Sequence, residues 1–561
     1  MVSPLPSFVS HVSPMLRGRG REREAVSYAP LKMWPTDPWP TTSEYGQWLL
    51  SGLVQYPAGF DAGVDAFWSS DVCGERHIFA WLSDLKAMGG DQARQSARIL
   101  VASWVEQYGN AKKRTKKYNG KYGGSSESLV AARRILHLLQ SYDFHGASAT
   151  DSYQSLVSLI VHQDSAFLYK KLSGAFANVS GRKDYLYQSV ALLCANICLP
   201  EHKAYDAYRE AGEQVFLESL KAQILPDGGH IRRSPQDLVE VLRVCLDLRR
   251  LYQVVSLPFP EAAQFAIDRM VQALKVFCYT DKRLGVFHGG REYHENVLDL
   301  IFHQTGQNRR IVKSLPQSGY ERLSQGRTVL LMDVGNVSPA PFDRQAHIAP
   351  LAFEMSHGKD RIVVNCGTHD QSPEWRDALR RTAAHSTLTL DDRDAMSVTQ
   401  DGGVRGRPSD VVSERHDEKG AVLLEAMHNG YSSIFEGSGD VRHVRRVYVS
   451  DKGQDVRGED SVFREKLNGE DFGGAIRFHL HPKVRVSLVR NGSAALLRLF
   501  SGVGWRFQCS GATLSLEDSV YMGSGSNAGV PMKTQQLVLR FSVGVDSCGE
   551  SIKWAFQRDV T

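Results

Sequence analysis

The chain has 561 residues, 42% hydrophobic and 23% charged, which excludes a disordered or fibrous polymer and allows roughly two to four domains. Lys and Arg number 67 against 62 Asp and Glu, and the resulting formal charge of +5 is too mild over this length to point to nucleic acid. Eight cysteines exclude a disulfide scaffold, and no run of about 18 apolar residues marks a transmembrane segment.

Residues 1–26 read as a mobile arm. Its charges, Arg17 through Glu24, follow a weakly apolar start, the reverse of a secretory signal. A solvated tail accounts for them, with contact to a polyanion as the alternative. From residue 27 to 312 apolar residues recur at helical spacing. Ile78, Trp81, Leu82 and Leu85 share a face, and Gly89-Gly90 ends that helix. Asp91 can cap the next, striped by Ala93, Ala97, Leu100, Trp104 and Tyr108. Further helices are predicted near 128–141, 151–162, 165–177, 184–198, 204–224, 235–254 and 261–278. Their short polar joints predict antiparallel hairpins, compatible with a bundle, a solenoid or a closed toroid. Cys194 and Cys198 lie one helical turn apart; two buried thiols explain them, and no second pair supports zinc.

The polar stretch 313–326 is the predicted linker. Beyond it the period becomes two. Ile476, Phe478 and Leu480 alternate with Arg477, His479 and His481, and Asn429-Gly430, Lys452-Gly453 and Asn491-Gly492 supply turns. Many short strands with few helices predict an antiparallel β-sandwich over 327–561.

Chemistry could sit in several places. In Gln223-Ile-Leu-Pro-Asp-Gly-Gly-His-Ile-Arg-Arg-Ser-Pro235, a long helix ends and Pro226-Asp227-Gly228-Gly229 forces a turn. Ser234, Pro235 and Asp237 then fit the start of the next helix. His230 beside Arg232 and Arg233 on a short loop suits an anionic sugar; a solvent-facing turn is the plainer reading. In the β half, His347, Asn365 and His385 stand near strands and could converge on a metal or a substrate. His479 and His481 share a strand face, which permits a metal but is more often structural. Tyr279, His288 and Tyr293 flank the stretch Phe287-His-Gly-Gly290, where a tyrosine could serve as general acid or simply pack. The partial Gly-x-Ser-x-Gly pattern at 523–527 has no following helix and gives no nucleophile elbow, and no phosphate-binding or dinucleotide fingerprint occurs.

Together the 223–235 motif, Ala352-Phe-Glu-Met-Ser-x-Gly358, Ala383-Ala-His-Ser-Thr387, His428-Asn-Gly-Tyr431, His443-Val-Arg-Arg, Gly458-Glu-Asp460 and Phe478-His-Leu-His-Pro482 resemble heparinase II/III-like proteins. The resemblance runs from about residue 65 to the end. It implies an incomplete (α/α) toroid followed by an antiparallel β-sandwich, with a cleft at their junction. It implies a polysaccharide lyase that cleaves a uronic-acid-containing acidic polysaccharide or oligosaccharide by β-elimination. A polar or positive group neutralises the uronate carboxylate, a His or Tyr base takes the C5 proton, and an acid protonates the leaving oxygen.

Residue by residue, the resemblance puts His230 at the carboxylate as a catalytic residue; Arg232, Arg233, Gln345 and Asp227 are the candidate substrate contacts beside it. The family's catalytic tyrosine belongs near Leu284 to His288, where Tyr279, Tyr293 and His288 are the nearest candidates. Gln345-Ala346-His347 stands where better-known lyases carry a His-x-His pair, one member catalytic and one often a zinc ligand. His347, His385 and Asn365 match the metal positions, so a structural zinc is allowed and no cofactor is required. Gln345 cannot act as a base, which implies either a rearranged acid–base pair or catalysis that is weak or lost. A non-catalytic glycan-binding or structural member of the fold is the alternative, and a glycoside hydrolase using Asp227 and Glu354 a third. The resemblance implies the periplasm or cell envelope; the lack of a clear export signal leaves the cytoplasm as the alternative. Homo-oligomers are compatible with all of this.

Overall fold

The computed structural model describes residues 28–56, 59–69, 75–109, 126–174, 184–306, 310–369, 372–467, 471–524 and 530–559. The arm predicted at 1–26 and residues 525–527 of the Gly-Ser-Gly-Ser-Asn stretch lie outside them. The chain forms two compact units. One takes the described residues through Ala222 together with Val244–Ala263; the other takes Gln223–Arg243 and everything from Gln264 on.

The first unit is helical. Its elements are α1 (Glu44–Val54), α2 (Phe60–Ser69), α3 (Trp81–Met88), α4 (Gly90–Tyr108), α5 (Glu127–Gln140), α6 (Tyr142–His145), α7 (Asp151–Leu172), α8 (Tyr185–Cys198) and most of α9 (Tyr205–Gln223). The predicted stripe Ala93, Ala97, Leu100, Trp104 and Tyr108 is buried on α4. Asp91 lies in the first turn of that helix instead of capping it, and accepts a hydrogen bond from Arg94 at 2.5 Å. α8 is apolar nearly all round and buried nearly all round, as a central helix must be. Cys194 and Cys198 are unpaired thiols within it. α7 is continuous where two helices were expected. The polar residues that suggested a break include Asp164, which is buried and paired to Arg134 of α5 at 2.8 Å.

The second unit holds the sheets. Strands β1 (Ser314–Leu315), β2 (Tyr320–Gln325), β3 (Thr328–Asp333), β4 (Phe353–His357), β5 (Asp360–Val364) and β6 (Leu388–Leu390) come first, then the short pair β7 (Ser397–Val398) and β8 (Val404–Arg405). β9 (Val411–Glu418), β10 (Ala421–His428), β11 (Val441–Val449), β12 (Asp455–Arg464) and β13 (Phe472–Leu480) follow. The last are β14 (Arg485–Val489), β15 (Ala494–Arg498), β16 (Gly504–Ser510), β17 (Thr513–Tyr521), β18 (Met532–Val543) and β19 (Gly549–Arg558). One sheet runs β1-β2-β3-β4-β5-β13-β18-β17, with β6 also on β13. The other runs β14-β15-β16-β19-β12-β11-β10-β9. All strand pairings named here are antiparallel. Phe353, Met355, Ile476, Phe478 and Leu539 from the first share one core with Val447, Val456, Trp505, Trp554 and Phe556 from the second, which makes a sandwich.

The stretch 313–326 is not a linker but β1 and β2. Its polar residues misled because they are buried in pairs: Arg322 donates to the Val276 and Cys278 carbonyls at 2.7 and 2.9 Å, and Glu321 meets Arg415 at 3.1 Å. The segment 223–243, drawn from the middle of the helical run, also belongs with the sheets. It comprises the end of α9, a hairpin and the start of α10 (Pro235–Val254). α11 (Glu261–Phe277), α12 (Glu295–Thr305) and α13 (Pro373–Leu379) complete the helices used below.

Candidate functional site

Every residue assigned to chemistry from sequence falls in this second unit. The 223–235 loop is a tight hairpin. Gly228 N donates to the Leu225 carbonyl and Leu225 N to the Gly229 carbonyl, both at 2.9 Å, and Gly228 takes φ +88°. That is a type I turn closed by a glycine bulge. A side chain at Gly228 would also strike the Arg269 carbonyl. Asp227 braces the turn: its carboxylate accepts from Gly229 N (3.0 Å), Ser318 N (2.7 Å) and Ser318 Oγ (2.8 Å). It is a structural group where a substrate contact was expected.

His230 is buried. Its Nδ1 accepts from Arg232 N at 3.2 Å, which leaves the proton on Nε2, 3.4 Å from Gln223 Oε1. Burial pushes its pKa down to about 4, so the ring is neutral near pH 7. Both nitrogens are engaged inside the fold; His230 holds the loop that presents Arg232 rather than standing open as a base.

The two arginines diverge. Arg233 takes φ +61° and turns inward. Its guanidinium donates to the carbonyls of Ser318 (2.7 Å), Gly319 (3.1 Å) and Asn336 (2.8 Å) and pairs with Asp333. Tyr320 stacks on it and donates its hydroxyl to the Arg233 carbonyl at 2.6 Å. Arg233 therefore ties the hairpin to β2 and β3 and has no freedom to meet a substrate. Arg232 turns the other way. It pairs with Asp237 at 3.0 Å and hydrogen-bonds the exposed Gln345. The two expected substrate contacts on opposite ends of the sequence interval thus come together.

Asp333, at the end of β3, is the hub of the site and was missed from sequence. Burial opposes its charge, but Arg233 and His288 outweigh that and hold its pKa below the usual carboxylate range. Its Oδ2 accepts from His288 Nε2 at 2.8 Å, and His288 Nδ1 accepts from His347 N at 3.3 Å. His288 is thus pinned at both nitrogens. The sole local clue was an acidic residue closing the apolar run Val329–Met332.

His347 and His385 do meet. His385 Nδ1 donates to the Arg381 carbonyl at 2.8 Å, so its Nε2 is bare and accepts from His347 Nδ1 at 2.9 Å. His347 Nε2 then carries a lone pair that no hydrogen bond among the described residues occupies. It faces Gly289, whose missing side chain leaves room beside it. Burial, then His385, drives the His347 pKa well below the ordinary imidazole value. Asn365 does not join them. Its amide donates to the Val286 carbonyl at 3.0 Å and its oxygen accepts from Ser386 N at 3.1 Å. The donor set does not fit a zinc ion: two imidazoles hydrogen-bond each other and the third position is engaged with backbone. Among the described residues no three His, Cys, Asp or Glu side chains come together as metal ligands.

The tyrosines stand apart from this cluster. Tyr293 donates to Glu240 and accepts from Arg243 at 2.9 Å, and burial first, then Glu240, raises its pKa. Tyr279 is buried under the Arg361 guanidinium, 4.8 Å from its ring centroid, and its hydroxyl has no hydrogen-bond partner in the described structure. Glu354, the other carboxylate of the hydrolase reading, accepts from Val286 N and Asn365 N at 3.0 and 3.1 Å and is pushed up to about 7 by burial. His479 bonds Ser519 (2.7 Å) and the Ala383 carbonyl (3.0 Å), and His481 lies 3.4 Å from Glu292. They form no metal pair. The motifs at 428–431, 443–446 and 458–460 build a buried chain, His428 to His443 (3.2 Å) to Asp460 (2.7 Å), with Arg445 and Trp554 also on Asp460.

The sequence matches the heparinase II/III N-terminus model over residues 84–308 and the heparinase II/III-like C-terminal model over residues 307–555. It is 29% identical over 546 residues to FtsZ-localized protein C of Caulobacter vibrioides, covering 93% of this chain and 89% of that protein. Solved structures share the fold. A heparinase III superposes with a TM-score of 0.69 at 15% identity, over 86% of this chain and 77% of the other. A mutant of heparan sulfate lyase HepC from Pedobacter heparinus does so with a TM-score of 0.61 at 15% identity, over 86% and 76%.

Proposed function

Because the chain belongs to the heparinase II/III-like family, we propose that it cleaves a uronic-acid-containing polysaccharide by β-elimination, its helices forming the incomplete toroid of that fold. The observation that carries this is the single unprotonated ring nitrogen of His347, two residues along the chain from the Arg232–Gln345 contact. Arg232, with Gln345 beside it, neutralises the uronate carboxylate and acidifies C5–H. His347 Nε2 takes that proton, and His385 steadies the charged ring through its hydrogen bond. The C5 electron pair forms the C4–C5 double bond as the C4–oxygen bond breaks. The imidazolium then returns its proton to the leaving oxygen, so one histidine serves as base and acid. No step needs water or a metal.

A second reading, glycan binding without turnover, is favoured by one observation: Tyr293, one of the two tyrosines offered as general acid, has its hydroxyl held by Glu240 and Arg243. The name of the Caulobacter relative places that protein with FtsZ, and a localised role without turnover suits the binding reading. Incubation with heparan-type, alginate-type and other acidic polysaccharides separates them. Turnover raises ultraviolet absorbance through the new double bond. Retention of the glycan without absorbance or new reducing ends would replace cleavage by binding.

A further inference from the structure

The outer face of the eight-stranded sheet carries a groove of about 650 Å³ that no step above uses. Its floor follows from register. Leu423, Tyr448, Arg457, Ala555, Gln508 and Ala494 are consecutive partners across β10, β11, β12, β19, β16 and β15. Strands about 4.8 Å apart make this row about 24 Å long, the length of an oligosaccharide rather than one sugar. Ala555 and Ala494 contribute almost no bulk, so the row sinks into a trough. Tyr448, 37% exposed, stands at one side as a flat face. Gln508 and Gln557 add amide side chains to the lining.

The lining is rich in cations, and some of them are already paired. The lining holds Arg446, Arg457, Arg490 and Lys553 against Glu459. Arg446 is bonded to Glu425 and Glu459, and Arg457 to Asp455. Arg490 is exposed with no ion pair among the described residues, and Lys553 is 70% exposed, 3.7 Å from Glu459. Arg490, Asn491 and Gly492 all have φ between 52° and 87°, a left-handed run that sets Arg490 at the rim.

We propose that this trough is a second binding site, for an acidic oligosaccharide, on which a sugar ring stacks on Tyr448 while Arg490, Lys553 and Arg457 meet its carboxylates or sulfates. Ring stacking with amide and guanidinium hydrogen bonding is the recognition chemistry of sugars, and the excess cations select acidic ones. The class of ligand rests on the acidic-glycan reading above; the site does not rest on turnover.

The test is titration calorimetry of the full chain, bearing His347→Gln to prevent turnover, with an oligouronate hexamer and its carboxyl-reduced neutral analogue. The combined Tyr448→Ala, Arg490→Ala and Lys553→Ala variant alters only exposed side chains, and its melting temperature confirms folding. The expected result is at least tenfold weaker hexamer binding, with cleavage of short oligouronates by the same triple variant carrying His347 unchanged. Unchanged hexamer affinity, equal affinity for the neutral analogue, absence of hexamer binding, or capture of anionic lipid vesicles in its place would each overturn the site. Groove-dependent binding without any turnover would instead overturn the lyase assignment and leave the groove standing.

Discussion

His347 Nδ1 lies 2.9 Å from His385 Nε2, and the second nitrogen of His385 is fixed by the Arg381 carbonyl at 2.8 Å. This chain decides the tautomers of both rings and leaves the lone pair on His347 Nε2. The two residues have different expected effects. His347→Gln removes the base and lowers turnover by about 10²–10⁴-fold. His385→Ala leaves the base in place but frees its tautomer and lowers kcat less, with KM little changed. Equal losses in kcat for the two, with metal analysis showing stoichiometric zinc, would replace the hydrogen-bonded pair by a metal site.

Arg232 and Arg233 are neighbours with opposite expected roles. Arg233→Ala leaves Asp333 buried without its cation and costs about 3–5 kcal/mol of stability. Arg232→Ala costs less than about 1 kcal/mol, because Arg232 is partly exposed and its partner Asp237 can be solvated. Its effect falls on KM for the acidic substrate, and that effect shrinks as salt rises. Denaturant melts and substrate titrations at two ionic strengths check both. A stable Arg233→Ala protein would refute the role of Arg233 in tying the hairpin to β2 and β3.

How much of this was legible follows the reach of each signal. The end of α9, the Pro-Asp-Gly-Gly turn and the Ser234 start of α10 are local, and the structure has all three; Asp237 N reaches Ser234 Oγ at 3.4 Å. The change of period was equally local. The fate of Arg233 was not, because nothing in Arg-Arg tells which guanidinium turns inward; that is set by Gly319, Gly335 and Asp333, about a hundred residues away. The stretch 313–326 failed for the same reason, since Glu321 and Arg322 are satisfied by Arg415 and the end of α11. Paired buried charge reads as loop until its partner is known.

Acid should loosen this protein earlier than carboxylate protonation alone would. Burial first lowers the folded-state pKa of His145, His230 and His385 to about 4 and of His479 to about 3. The unfolded chain takes those protons as pH falls through about 6.5, whereas the folded chain refuses them until about 4, and at His479 until about 3. Their contribution is complete above about pH 6.5 and is lost between there and those folded-state values. Asp333 and Asp460, held below the usual range, withdraw theirs only below about pH 4. Thermal melts at pH 7.5, 6 and 5 should therefore show a falling melting temperature. A flat profile across that interval would contradict the buried neutral histidines.

Tyr293→Phe is the sharpest test of the single-histidine scheme. The Tyr293 hydroxyl is held between Glu240 and Arg243, and its burial beside Glu240 opposes ionisation. A tyrosine so held packs the start of α10 against the segment before α12, and its removal should cost about 1 kcal/mol for the lost hydrogen bonds. Turnover should stay within a few-fold of the parent, because proton transfer runs through His347. Arg243→Gln is the control: it perturbs the same contact while leaving the hydroxyl, and should match Tyr293→Phe in both stability and rate. If Tyr293→Phe instead loses 10²-fold or more in kcat with an intact melting temperature while Arg243→Gln does not, the tyrosine is the general acid and the single-histidine scheme falls.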